Sequence, residues 1–208
     1  MNVKIFTMTH KKFDEPKNPI YIPLHVGRAS AKDLGYLGDN TGDSISEQNK
    51  YYRKITGVYW VWKNVQDVDI VGVCHYRRYF FNKKGALLNQ NEYEKILEDF
   101  DIITSDEIKS DKSYRESYGE AHNINDLILT ENVIKRKYPE YITELERVFS
   151  GNSGYYGNLM VTSKDIFDAY AQWLFDIFFE LEKQIDVTSY DLYHRRIFGF
   201  LSELLMKV

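Results

Sequence analysis

The stretch VDIVGVCHYRRYFF, residues 68–81, limits what this chain can fold into more than any other. Val68, Ile70, Val71, Val73 and Cys74 form a nearly continuous apolar run, which reads as a strand inside a core. His75, Tyr76, Arg77, Arg78 and Tyr79 then follow with no turn residue between. A core strand that ends in an imidazole and two guanidinium groups must deliver them somewhere. The rest of the chain says where.

Strand and helix patterns alternate along the sequence. VKIFTMT (3–9) reads as a first strand, and IYIPLHV as a short strand within the proline-rich stretch 14–27. Residues 37–46, LGDNTGDSIS, are loop by composition. A helix is expected from Ser46 to Asn64, because Tyr52, Ile55, Val58, Tyr59 and Trp62 recur at three- and four-residue steps. After the strand at 68–74 come a short helix at NEYEKILED and a strand at 100–105. Residues 106–122 read as polar and mobile, and a helical stretch broken at Pro139 follows. A strand at 158–162, a strongly amphipathic helix from Lys164 and a final helix over YDLYHRRIFGFLSELLMKV complete the pattern. This is the signature of an α/β fold with a mostly parallel central sheet flanked by helices and a helical C-terminal part. In such sheets ligands bind outside the carboxyl ends of the strands. His75, Arg77 and Arg78 are placed there, and so are Thr9-His10-Lys11, the 38–46 loop and Thr104-Ser105-Asp106.

Composition narrows the chemistry. The chain has 208 residues, 43% of them hydrophobic, enough for one domain with a sizeable core. The net charge of -4 argues against nucleic acid as a partner, so any polyanion site has to be a local cluster of Lys and Arg. The single cysteine, Cys74, excludes an internal disulfide and reads as core. No stretch has the ~20 apolar residues that span a bilayer, and the N-terminal apolar run is too short for a signal peptide, so an intracellular, cytoplasmic protein is expected. Seventeen tyrosines suit a protein that handles polar, ring-shaped ligands.

Arginine pairs suit a diphosphate, since guanidinium binds phosphate bidentately and stays charged. The structural alternative is that Arg77 or Arg78 pairs with Asp69, Asp101 or Asp106. No P-loop, GxGxxG, HExxH or GxSxG pattern is present. His122 and Asp126, four apart, are a weak candidate for a metal pair. Asp39, Asp43, Asp191 and Glu203 are the carboxylates in plausible site segments, each also readable as a cap, turn or ion-pair residue.

Several segments taken together resemble a bacterial glycosyltransferase-like family, domain of unknown function 4422. They are KIFTMTHKKF, YIPLHVGRA, LGDNTGDSISEQNKYYRKITGVYWVWKN, DIVGVCHYRRYF, GNLMV and RRIFGFLSELLM, in that family's order. The resemblance implies a single GT-A-like domain over residues 1–208. Residues 1–105 would form the nucleotide-sugar-binding half, and residues 106–208 the mainly helical acceptor side, with Asn158 there. It implies transfer of a hexosyl unit, galactosyl or galactofuranosyl, from a UDP-sugar donor to a lipid-linked saccharide acceptor, in capsule, exopolysaccharide or O-antigen synthesis. The alternative is a non-catalytic scaffold of a polysaccharide assembly complex. The expected donor cleft gathers Thr9, His10, Lys11, Asp39, Asn49 and His75, with Arg77 and Arg78. Many GT-A enzymes place an Asp-x-Asp metal motif where this chain reads His75-Tyr76-Arg77. Arg77 and Arg78 are therefore expected to replace the metal, with no metal strictly required; Mn²⁺ or Mg²⁺, ligated by His75, is the alternative. Glu203 is the first candidate for a catalytic base and Asp191 the second, with Arg196 orienting either. Glu203 lies seven residues beyond Arg196, on the same helix face. With a lipid-linked acceptor, peripheral contact at the inner face of the cytoplasmic membrane is expected, through exposed aromatics, Lys83-Lys84 or Lys135-Arg136-Lys137.

Overall fold

The computed structural model describes all 208 residues. Strands β1 (Val3–Thr9), β2 (Tyr21–His25) and β3 (Leu37–Gly38) open the chain. Helices α1 (Asn49–Tyr52) and α2 (Ile55–Asn64) precede β4 (Ile70–His75), α3 (Gln90–Ile96), β5 (Ile102–Thr104) and β6 (Ile108–Lys109). Then come α4 (Tyr114–Ala121), α5 (Ile124–Lys137), α6 (Ile142–Ser150), β7 (Ser153–Gly154), β8 (Met160–Ser163), α7 (Lys164–Glu182) and α8 (Ile197–Leu205). Six strands form one sheet in the order β3-β2-β1-β4-β8-β5, while β6 and β7 pair separately. β1 pairs in parallel with β2 and β4, and β2 with β3, whereas β8 runs antiparallel to both its neighbours. Only β8 is reversed, so the expected mostly parallel α/β sheet is present.

The apolar run of β4 is explained by the two faces of this sheet. Ile70 and Cys74 join Val3, Ile5, Tyr93 and Val161 on one face. Val71 and Val73 join Phe6, Met8 and the helices on the other. A period of two sends alternate residues to opposite sides, and both sides are dry. Cys74 is buried and unpaired, with its sulfur 3.4 Å from Thr7 Oγ1, and burial pushes its thiol up to about 12. It is core, as read. On the larger face α7 lays down Phe167, Ala171, Leu174, Phe175, Phe178 and Leu181, each fully buried and spaced at three and four. Each such Leu or Phe removed from water is worth about 1.5–3 kcal/mol.

The division at residue 105 is not a structural boundary. β8 comes from the later half and is inserted between β4 and β5 of the earlier one.

Three local expectations differ from the structure. The helix from Ser46 to Asn64 is broken: Ser46–Gln48 is a 3-10 turn, α1 is a single turn, and Arg53 interrupts the path with φ 53° and ψ −133°. Residues 106–122, where no element is expected, hold β6 and α4, and a reciprocal capping box of Ser113 and Glu116 starts α4. The final helix begins at Ile197, not Tyr190, after 3-10 turns at Val187–Ser189 and His194–Arg196. The break at Pro139 is where the sequence puts it, between α5 and the 3-10 turn Pro139–Tyr141.

Candidate active site

A cavity of about 380 Å³ opens at the carboxyl ends of β1 and β4. Five cations line it: Arg53, Lys54, Arg77, Arg78 and Arg196. Thr9, His10, Asn49 and His75 also line it, as expected, and Phe200 with Gly199 forms part of the wall. Glu203 is the one carboxylate. A chain of net charge -4 has thus gathered positive charge at one place.

None of the four arginines forms an ion pair. None of Asp69, Asp101 and Asp106 pairs with Arg77 or Arg78, and Asp69 accepts the backbone N–H of Asn2 at 2.6 Å. The Nε atoms of Arg53 and Arg196 are buried without a hydrogen-bond partner. Buried polar groups are nearly always satisfied, so such atoms are waiting for an anion or water.

The strand-end turn answers where the β4 cations go. His75 and Arg78 close a tight turn, with Arg78 N donating to His75 O at 2.7 Å and His75 N donating to Arg78 O at 3.2 Å. The turn throws Arg77 and Arg78, both exposed, over the end of the sheet. Arg77 N donates to His75 Nδ1 at 3.3 Å, which fixes Nε2 as the protonated nitrogen of the neutral ring. Burial, then the charges of Lys54, Arg77, Arg78 and His10, pushes the His75 pKa down to about 4. His10 is lowered too, by burial first and then by Lys11, Arg77 and Arg53. Lys11 does not line the cavity; its ammonium sits 5.3 Å from the centre of the Tyr76 ring, at the rim.

Asp39 is a correction. It is wholly buried and does not line the cavity, although the expected donor cleft included it. Its carboxylate accepts from Gly27 N at 2.9 Å, Arg28 N at 3.1 Å, Ser46 Oγ and Thr56 Oγ1 at 2.6 Å. Asn49 Nδ2 donates to that Thr56 Oγ1 at 3.0 Å and to the carbonyl of Arg53 at 2.7 Å. Asp39 therefore supports, through Thr56 and Asn49, the backbone bend that aims Arg53. Gly27, at φ 71°, has to lack a side chain, since a Cβ would fall 2.6 Å from Asn49 Cγ.

Sequence reasoning missed Arg53 and Lys54. Their helical register hid them, and only the doubled cation in NKYYRKI hinted at more than a solvated face.

The carboxylates separate cleanly. Glu203, on α8, accepts from Gly157 N at 2.9 Å and lies 3.6 Å from Lys54 Nζ. Burial lowers the Lys54 pKa, and Glu203 partly offsets this. Asp191 is not in the cavity. It is exposed and caps the following turn, accepting from Tyr193 N, His194 N and His194 Nδ1, which holds its pKa down to about 2. Arg196 is in the lining, one turn before Gly199 on the same wall. Asn158 is buried outside the lining at φ 47°, its Nδ2 donating to Ser202 Oγ at 2.8 Å. It pins the strand entry to α8, and its Oδ1 is buried without a hydrogen-bond partner.

The residues present do not fit a divalent cation. No group of three or more His, Cys, Asp or Glu side chains could hold one. The only carboxylate in the cavity sits among five cations, which repel Mn²⁺ or Mg²⁺. The His122–Asp126 pair is also absent: His122 stacks on Phe200 at 4.1 Å, and Asp126 accepts from Tyr190 OH at 2.6 Å.

The family model described as domain of unknown function (DUF4422) matches residues 4–208. The chain belongs to the DUF4422 family. The fold of this DUF4422 chain matches the solved apo structure of the bifunctional glycosyltransferase WbbM, with a TM-score of 0.89 and 32% sequence identity. The match covers 100% of this chain and 42% of WbbM, so the DUF4422 chain spans less than half of that protein's length. No match is found among curated proteins. Sequence family and fold thus agree on a glycosyltransferase-like protein whose cationic cavity lies where an α/β sheet presents its ligands.

Proposed function

We propose that this DUF4422 chain is a glycosyltransferase, moving a hexosyl unit, of which galactosyl and galactofuranosyl are examples, from a UDP-sugar to a lipid-linked saccharide of a capsule, exopolysaccharide or O-antigen. One observation carries the reading: guanidinium groups without carboxylate partners converge on a cavity at the strand ends. Arg77 and Arg78 take the diphosphate and stabilise the charge that grows on UDP as the glycosidic bond breaks. In this reading no metal is required, because Arg77 and Arg78 supply the positive charge that a metal would. Glu203 is the proposed base for the acceptor hydroxyl, held by Gly157 N and Lys54. The likeness to WbbM supports transferase chemistry over a passive scaffold.

No helix is long and apolar enough to cross a membrane. The proposed contact with a lipid-linked acceptor is peripheral, at the inner face of the cytoplasmic membrane. Lys83 and Lys84, exposed beside Phe81 and in no ion pair, suit it better than Lys135, Arg136 and Lys137, which pair with Glu131, Glu180 and Asp176.

Release of UDP from a panel of UDP-sugars, with and without EDTA, tests the function. Turnover should persist in EDTA. Arg77→Ala and Arg78→Ala should each lose roughly a hundredfold in rate, about 3 kcal/mol in the barrier, as for a lost oxyanion donor. Thermal stability should stay near wild type, since both side chains are exposed and make no ion pair. Activity abolished by EDTA and restored by Mn²⁺ would defeat the metal-free reading, and UDP-sugar binding without any release would favour the scaffold.

A further inference from the structure

The cavity holds more positive charge than one nucleotide-sugar diphosphate can neutralise. With Lys54 set against Glu203 at 3.6 Å, four guanidinium groups remain. The diphosphate of a nucleotide sugar carries one negative charge on each phosphorus, which leaves a surplus of two. The four arginines also fall into two different pairs. Arg77 and Arg78 leave the end of β4 and are exposed, so water solvates them when the cavity is empty. Arg53 and Arg196 come from the α1–α2 break and the turn before α8, and each is half-buried with an unpartnered, buried Nε.

This second pair is costly to maintain. Burial and then the charge of Arg196 pull the Arg53 pKa down, yet a guanidinium does not give up its proton. Desolvated like charges without an anion destabilise a fold. Arg53 also adopts a positive φ that residues with a side chain rarely take, and Asn49 holds it there by bonding its carbonyl. Its side chain makes no hydrogen bond or ion pair that would explain the arrangement structurally.

We infer that Arg53 and Arg196 form a second anion site beside the diphosphate position, taking one further carboxylate or phosphate carried by a substrate. Two planar forks match either group bidentately. The inference rests on the proposed UDP-sugar donor as the first anion. The second comes either from an acidic donor sugar or from a phosphate on the acceptor.

Calorimetric titration of the full chain tests this in two arms. In one, inorganic phosphate is titrated into protein saturated with UDP-glucose; in the other, UDP-glucuronate is compared with UDP-glucose. One arm or both should respond: phosphate binding one to one at low salt, or the uronate binding at least tenfold tighter than the neutral sugar. A response in the first arm names an acceptor phosphate, and in the second an acidic donor. Arg53→Gly, which tolerates the backbone angle, and Arg196→Gln should weaken that response tenfold or more. They should weaken UDP binding far less than Arg77→Ala does. UDP binding with neither arm responding overturns the inference, and so do Arg53 and Arg196 variants that lose UDP as completely as Arg77→Ala. If UDP itself does not bind but phosphate does, the donor reading fails and the second site stands.

Discussion

His75 is kept neutral by its surroundings, and that makes it a reporter for whatever enters the cavity. Its folded pKa of about 4 lies below the ordinary value of roughly 6.5. The neutral ring therefore favours folding above pH 6.5. As the pH falls toward 4 the unfolded chain takes up a proton that the folded one refuses, and stability declines. Burial is the main cause of that low value and stays in place, but a bound diphosphate offsets the charges of Lys54, Arg77 and Arg78, which raises the pKa. Binding then takes up a proton, and by linkage affinity increases as the pH falls. The affinity for a UDP-hexose should rise about tenfold between pH 7 and pH 5. His75→Asn should flatten most of that slope, with His10 supplying what remains, since its pKa is lowered in the same way. Calorimetry across this range checks it; affinity that falls on acidification would place the diphosphate away from His75.

Between elements, Asp39 joins what would otherwise be loose ends. It ties the residues after β2, the 3-10 turn at Ser46 and the first turn of α2 to one carboxylate. Asp39→Ala leaves Gly27 N, Arg28 N and Ser46 Oγ without an acceptor, while Thr56 Oγ1 keeps the Arg53 carbonyl at 3.0 Å, and should cost about 3 kcal/mol, read as a lower denaturant midpoint. Unchanged stability with lost UDP binding would return Asp39 to the list of ligand-holding residues. The contrast between Asp39 and His75 shows where sequence reasoning reaches its limit. His75, Arg77 and Arg78 were legible because a strand of period two has a definite end, and sheet geometry says what lies beyond it. Thr9 and His10 follow by the same rule from β1. Asp39 also follows a strand, but no pattern reveals that its acceptor capacity is spent on two backbone N–H groups after β2 and on the Ser46 and Thr56 hydroxyls. Arg53 was hidden for the opposite reason: the stripe Tyr52, Ile55, Val58, Tyr59 fits an unbroken helix, and the break depends on Asn49 reaching the Arg53 carbonyl. Asp191 and Glu203 looked alike because both lie near Arg196 in the chain; the turns before α8 send one to solvent and the other into the cavity.

At the scale of the whole molecule, the earlier and later parts of the chain share one core. One core cluster unites Phe6, Val58 and Val73 with Phe175, Phe178 and Leu201. The cavity itself takes residues from β1, the α1–α2 break, β4 and α8. Unfolding should therefore give one transition, with calorimetry, far-UV dichroism and tryptophan fluorescence coincident. Two separated transitions would mean that the earlier and later halves hold themselves together independently. The position of β8 has a consequence during synthesis. Val73 pairs with Met160 and Ile70 with Ser163, so one edge of β4 has no partner strand while the ribosome is still making everything between them. At about 5–20 residues per second, that edge stays open for roughly 5–20 s. Val71, Val73 and Cys74 are then a sticky, exposed strand on a nascent chain, and a trigger for chaperone capture or for mispairing with a neighbouring polysome's product.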